Sequence, residues 1–234
     1  MFNKTRILVI NYHNCLRQSE IPLFRGAVIS SVGEDNISVL FHNHIGETVS
    51  YSYPKIQYKR IHNAASIVCI NEGADVIGQF LSSLSAPLKI GNREELMVIN
   101  NIKASQCLVK TWGDYFRYHL RKWLPFNQEN YKAYNNLQGI VEKSTFLEKI
   151  LVGNLLSFAK GIGVTIDSKI SCMIESCEQP VLLKYKGIKM MSFDLVFKSN
   201  ISLPNFIGIG KGVSLGFGVV TEIPQRTISD KNVK

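Results

Sequence analysis

Five histidines, His13, His42, His44, His62 and His119, are the side chains of this 234-residue chain best suited to moving protons near neutral pH, because an unperturbed imidazole titrates near pH 6.5. Two of them share the tetrapeptide FHNH (residues 41–44). Tyr51, Tyr53, Lys55 and Lys59 follow in the same stretch, and Arg25 precedes it. A phenol, an ammonium or a guanidinium beside an imidazole can orient it as a base or meet the charge of a phosphate. Two histidines in a polar turn can equally be solvated surface groups, and residue types alone leave both readings open. His13 and His62 sit in short polar turns. His119 lies in FRYHLRKWL (116–124), where Arg117, His119 and Arg121 alternate with Phe116, Tyr118 and Leu120. That alternation gives a strand one basic face, with a helix as the alternative.

A second stretch with chemical potential is PNFIGIGKGVSLGFGVV (204–220), which crowds Gly208, Gly210, Gly212, Gly216 and Gly218 together. It is no P-loop, since Lys211 is followed by Gly212 and no glycine stands five residues before Gly210. It is no dinucleotide fingerprint either, because it leads into the strand-forming Val219, Val220 and Thr221 and not into a helix. What remains is a loop whose glycines permit positive φ and close backbone approach, with its N–H groups and Lys211 free to face a phosphate. A turn packed beneath a sheet is the alternative. A third stretch, LLKYKGIKMM (182–191), gathers Lys184, Lys186 and Lys189 with Tyr185 around one tight turn. Such a basic tip can enter a groove of structured RNA, or be an ordinary solvated hairpin.

These residues have to be positioned by regular elements. Residues 4–10 (KTRILVI) read as a strand, and 21–32 as a helix with Leu23, Ala27 and Val28 at helical spacing. Residues 36–53 are ambiguous. Residues 55–61 and 66–70 read as a hairpin around His62 and Asn63, followed by a helix from NEGADVIGQFLSSL that Asn71 can cap, and a strand within 96–109. The order is βαββαβ, the ferredoxin-like unit. The second half opens on the strand with the basic face. It continues with a helix over 144–159 that Ser144 caps and Leu147, Ile150, Leu151, Leu155 and Phe158 stripe, then strands at 169–174, 181–185 and 189–197. The glycine loop and a strand at 217–223 close it, so the loop stands where a second helix belongs. The expected class is α+β, with two tandem ferredoxin-like domains at 1–110 and 111–234.

Composition narrows the function. With 27 basic against 18 acidic residues the formal charge is +9 and the pI about 9.3. Residues 1–110 hold 11 basic and 8 acidic side chains and the remainder 16 and 10. Such an excess favours a polyanionic partner, because cations that neutralise phosphates release condensed counterions, although basic folded proteins without nucleic-acid ligands are common. No stretch approaches the ~18 uncharged apolar residues of a membrane helix, and residues 7–10 are too short for a signal-peptide core. The expectation is a cytoplasmic protein without a membrane partner. The five cysteines lack CxxC spacing and fall mostly in apolar, strand-like stretches, which predicts buried thiols and no metal site.

GIGKGVSLGFG (208–218), preceded by FKSNISLPNFI (197–207) and followed by a terminal strand, resembles the signature glycine-rich loop of the RAMP superfamily of CRISPR-associated proteins. From about residue 4 to residue 223 the chain resembles that superfamily's precursor-CRISPR-RNA processing endoribonucleases. The resemblance implies two ferredoxin-like domains, in agreement with the element order, and cleavage of CRISPR repeat RNA to mature crRNA without metal or cofactor. In such cleavage the RNA's own 2′-hydroxyl attacks the adjacent phosphate, leaving a 2′,3′-cyclic phosphate and a 5′-hydroxyl. The scarcity of carboxylates at metal-ligand spacing fits this route. The resemblance places a catalytic histidine between the first helix and the second strand, which points to His42, with His44 second, and to Tyr51 and Lys55 as their companions. Arg25, Lys59, Arg117, Arg121, Lys184, Lys186, Lys189 and the loop residues Gly208, Gly210, Lys211, Gly212, Ser214, Gly216 and Gly218 are then the expected RNA contacts, with His119 beside the RNA backbone. Chemistry falls to the first domain and much of the grip to the second, whose cations are expected to form one basic surface. CRISPR effector subunits and a second copy of the chain are further candidate partners. The competing readings are a non-catalytic RAMP-type subunit that holds crRNA in an effector complex and a general RRM-type RNA-binding module. The latter lacks the aromatic-rich central strand, since GFGVV lies in the last strand with one aromatic.

Overall fold

The computed structural model describes residues 4–32, 53–82 and 86–224, so His42, His44 and Tyr51 lie outside the described residues. The first half runs β1 (Thr5–Cys15), α1 (Ile21–Val32), β2 (Ile56–Ile61), β3 (Ala64–Ile70), α2 (Glu72–Ser82), a small hairpin β4 (Leu88–Ile90) and β5 (Arg93–Glu95), and β6 (Ile99–Cys107). Its antiparallel sheet has the order β2-β3-β1-β6. The near-continuous apolar runs of β1 and β3 follow from cover on both faces. Ile10, Tyr12, Ile56, Tyr58, Ile67 and Cys69 pack with Phe24 and Val28 of α1 and Ile77 and Phe80 of α2. Ile7, Val9, Ile61, Val68 and Ile70 on the other face join the core of the second half.

The second half runs β7 (Thr111–Trp123), α3 (Gln128–Asn136), α4 (Ile140–Gly161), β8 (Cys172–Cys177), β9 (Val181–Tyr185), β10 (Ile188–Ile201) and β11 (Val219–Glu222). The order β11-β7-β10-β8 repeats the ferredoxin-like pattern of the first sheet, and β9 pairs with the outer part of β10. Leu147, Leu151, Leu155 and Phe158 of α4 pack in one core with Leu120, Phe193, Leu195 and Phe197 of the sheet. The β2–β3 turn has positive φ at His62 and Asn63, and the β9–β10 turn at Lys186 and Gly187, the two-residue geometry that matches strand twist.

Several expectations need correction. The buried face of α1 is Ile21, Phe24 and Val28, while Leu23 is half exposed, because the stripe is set by the sheet beneath it. Asn71 does not cap α2 with its side chain: its Oδ1 accepts from the Arg6 N–H at 2.9 Å. α4 starts four residues before Ser144, where the Gly139 N–H donates to the Glu142 carboxylate at 3.2 Å. α3 and the β4–β5 hairpin were not anticipated. Only Cys69 among the thiols is fully buried, and Cys15 and Cys177 are exposed.

Candidate nucleic-acid interface

Between β10 and β11, where the first half has α2 between β3 and β6, residues 202–218 form a folded loop with one short 3₁₀ turn, Val213–Leu215. The loop is pinned from both sides. Gly208 N–H donates to Gln57 Oε1 at 3.0 Å, Tyr53 O–H donates to the Gly208 carbonyl at 2.8 Å, and Gln57 Nε2 donates back to the Tyr53 hydroxyl at 2.8 Å. Farther along, Gly218 N–H donates to the Lys122 carbonyl at 3.0 Å and Ile209 N–H to the Gly218 carbonyl at 2.8 Å. Gly218 has φ +62, and an added Cβ would stand 1.8 Å from the Ile209 carbonyl oxygen, so only glycine fits.

The loop therefore divides. Gly208, Gly216 and Gly218 are buried, and the amides of Gly208 and Gly218 are already committed within the protein, which corrects their expected place as RNA contacts. Gly210, Lys211, Gly212 and Ser214 reach the surface. Gly210 and Lys211 line a groove of about 460 Å³ with Tyr53, Asn127, Asn154 and Ser157. α4 supplies Asn154 and Ser157, and Asn154 is oriented by accepting from Trp123 Nε1 at 2.9 Å. Asn127 is held by its own work as the N-cap of α3, accepting from the Asn130 N–H at 2.7 Å. The β9–β10 tip lies beside the loop, with Tyr185 edge-on to Phe217 at 5.7 Å. Its Lys184, Lys186 and Lys189 are exposed and, like Lys211, form no ion pair among the described residues.

The single basic surface expected for the second half is divided by its own sheet. Tyr118 and Leu120 face the core beneath α4, so Arg117, His119 and Arg121 alternate onto the opposite face from the Lys211 groove. Arg117 is also ion-paired to Glu175 at 2.5 Å. Lys59, expected to meet RNA, is fully buried on β2 with no partner for its Nζ among the described residues, and burial pulls its pKa down to about 7. Lys55 is largely buried and pairs with Glu72 at 3.3 Å. Arg25 is partly buried, its charge acting on the Tyr58 phenol, whose pKa burial pushes up. Burial likewise raises the Tyr53 phenol, so it stays a protonated donor to Gly208.

Gln57, Asn127 and Asn154 were missed. A glutamine within the strand-forming stretch IQYKRI was the one available signal, because an amide buried there needs a partner and implies one from elsewhere in the chain. Among the described residues no three His, Cys, Asp or Glu side chains are grouped to hold a metal ion, and no helix is long and apolar enough to cross a membrane.

Family models for the Cas6b N-terminal domain and the Cas6b C-terminal domain match residues 3–107 and 110–223. An uncharacterized protein of Methanocaldococcus jannaschii is 40% identical over 103 residues, 44% of this chain and 69% of that protein. A crystal structure of Cas6b is similar with TM-score 0.84 and 26% identity, over 94% of this chain and 100% of that one. A CRISPR RNA processing endoribonuclease, also Cas6b, is similar with TM-score 0.72 and 25% identity over the same shares.

Proposed function

This chain belongs to the Cas6b family, and we propose on that premise that it is an endoribonuclease that binds CRISPR repeat RNA and cuts it by 2′-hydroxyl attack without a metal ion. The observation that carries this reading is the match of both family domains across nearly the whole chain, with which the likeness to a 25% identical Cas6b, a CRISPR RNA processing endoribonuclease, agrees. The groove beside the glycine loop supports it. Tyr53, the first described residue after the segment that carries His42 and His44, is one of its walls, and Lys211 is another.

In the proposed reaction a histidine, His42 or His44, takes the proton of the 2′-hydroxyl, and its oxygen bonds to phosphorus. The bond to the 5′-oxygen breaks as that oxygen takes up a proton from water, leaving a 2′,3′-cyclic phosphate and a 5′-hydroxyl. The phosphorane carries one more negative charge than the phosphodiester, and Lys211 with the surface part of the loop would stabilise it. Tyr51 would orient the base. Lys55, held by Glu72, would brace the start of β2. The lysines of the β9–β10 tip would grip the repeat next to the cut.

The test is cleavage of a repeat RNA from the host's own array in EDTA, beside the same RNA with one 2′-deoxy substitution at the cut. Cutting of the first alone, with loss in His42→Ala or His44→Ala, supports the reading. Tight binding with both RNAs intact would make the chain a crRNA-holding subunit instead.

A further inference from the structure

The groove beside the glycine loop holds an amide whose orientation is fixed and whose donors are unspent. Asn154 sits half-buried in the middle of α4, and its Oδ1 accepts from Trp123 Nε1 at 2.9 Å. Trp123 is fully buried at the end of β7. Its indole nitrogen can only donate, so the amide oxygen of Asn154 has to be the atom that faces it. That leaves Asn154 Nδ2 on the groove lining, without a hydrogen bond to protein among the described residues. The loop meets the same indole atom. Gly210 has φ +87, and an added Cβ would stand 2.8 Å from Trp123 Nε1 and 3.1 Å from the Leu124 carbonyl oxygen, so the loop backbone lies directly against the ring. Lys211 N–H donates to that Leu124 carbonyl at 3.2 Å. One indole edge thus sets how α4 and the loop stand to each other, and with them Asn154 and Lys211.

Other polar groups of the lining are engaged elsewhere. The Tyr53 O–H goes to the Gly208 carbonyl, the Ser157 O–H to the Gly153 carbonyl at 2.9 Å, and Asn127 Oδ1 caps α3. Ile150 and Phe158 add apolar surface. Among the described residues Lys211 is the one cation of the lining, and no carboxylate shares it. An oriented amide donor and an ammonium, set beside apolar side chains and away from any competing carboxylate, suit an oxygen on which negative charge develops.

We propose that Asn154 is a catalytic residue of the RNA cleavage, its Nδ2 donating to a non-bridging oxygen of the scissile phosphate while Trp123 holds the amide in place. The proposal rests on the RNA-processing reading. As the 2′-oxygen bonds to phosphorus, the non-bridging oxygens gain charge and this hydrogen bond strengthens. As the bond to the 5′-oxygen breaks, the charge leaves them and the bond relaxes. Asn154 keeps its protons throughout: the 2′-hydroxyl proton goes to the histidine, and the 5′-oxygen takes its proton from water.

The test compares wild type, Asn154→Ala and Asn154→Asp cutting repeat RNA with enzyme in excess, with thermal melts as the check on folding and affinity for the 2′-deoxy-blocked RNA measured alongside. Losing one such donor should slow cutting about a hundredfold. Affinity should change less than about threefold in Asn154→Ala, because the bond strengthens only as charge develops. Asn154→Asp keeps an acceptor for Trp123 Nε1 and lacks the donor, so it carries the test if Asn154→Ala fails to fold. A readout that a purely structural role would not move comes from RNA with sulfur in place of either non-bridging oxygen at the cut. Wild type should cut one diastereomer more slowly than the other, and this preference should shrink in the variants. A folded variant that cuts at the wild-type rate, or that keeps the wild-type ratio between diastereomers, would overturn the proposal and leave the RNA-processing reading intact. A wild type that binds the repeat without cutting it would overturn that reading itself.

Discussion

The two halves share a strand order and differ in what joins the last two strands of each four-strand motif. Between β3 and β6 the first half inserts α2, which buries Ile77 and Phe80 against its own sheet. Between β10 and β11 the second half inserts the glycine loop, whose buried contacts reach the other half: Gly208 to Gln57 and Tyr53, Gly216 to Ile21 and Tyr58. A helix satisfies its backbone internally and needs only an apolar face to dock. A loop must find partners for its amides one by one, and here they come from β2, β7, β11 and the loop itself. The exchange joins the halves into one core and leaves beside α4 the groove that a second helix would have covered.

Breaking the loop should therefore cost more than altering the helix. Gly218→Ala should have the largest effect, because its Cβ meets the Ile209 carbonyl and its φ is positive; we expect a loss of at least ~4 kcal/mol in urea unfolding, or no folded protein. A variant with wild-type stability would show that the loop can relax as a helix does. Next, Gln57→Leu leaves the buried Gly208 N–H without an acceptor and should destabilise by ~2 to 3 kcal/mol, with protease cutting inside 202–218 as the local readout. Unchanged protection there would mean that the Gly218 end alone holds the loop.

Lys59 sharpens the comparison from the other side of the junction, since Gln57 beside it on the same face of β2 is fully bonded and Lys59 is not. With a folded pKa near 7 and an unfolded one near 10.4, the unfolded chain binds the extra proton between these values. Stability should thus rise as the pH goes from 7 to 10. Lys59→Met should be more stable than wild type by ~2 kcal/mol at pH 7 and lack that rise; an equal rise in both proteins, in melts across the range, would contradict it. The smallest effect belongs to Gly78→Ala in α2, where nothing lies within 4 Å of the added methyl. Helix propensity predicts a gain of ~0.5 to 1 kcal/mol, read as a small upward shift in Tm.

Local rules carried the order of the two ferredoxin-like units because most of their elements are announced by their own residues. The α4 stripe of Leu147, Leu151, Leu155 and Phe158 and the Lys186-Gly187 turn are both legible without knowing their neighbours. α3 escaped notice because QENYKAYNN buries only Tyr134 and so has almost no apolar period. The site was less legible. Lys59 and Lys184 look alike in sequence, yet one is fully buried and the other exposed, since β2 is covered on both faces, whereas the β9–β10 tip packs Tyr185 against Phe217 and leaves Lys184 in solvent.

The sequence by itself determined the two ferredoxin-like units, the replacement of one helix by a glycine loop and the excess of positive charge, because periodicity, turn residues and composition are local properties. Tertiary structure alone decided which glycines face solvent, that Gln57 and Tyr53 hold the loop, and that the cations fall on opposite sides of a sheet. Those outcomes depend on which surfaces the two halves bury against each other, and burial is a property of the pair of surfaces, not of either stretch of chain.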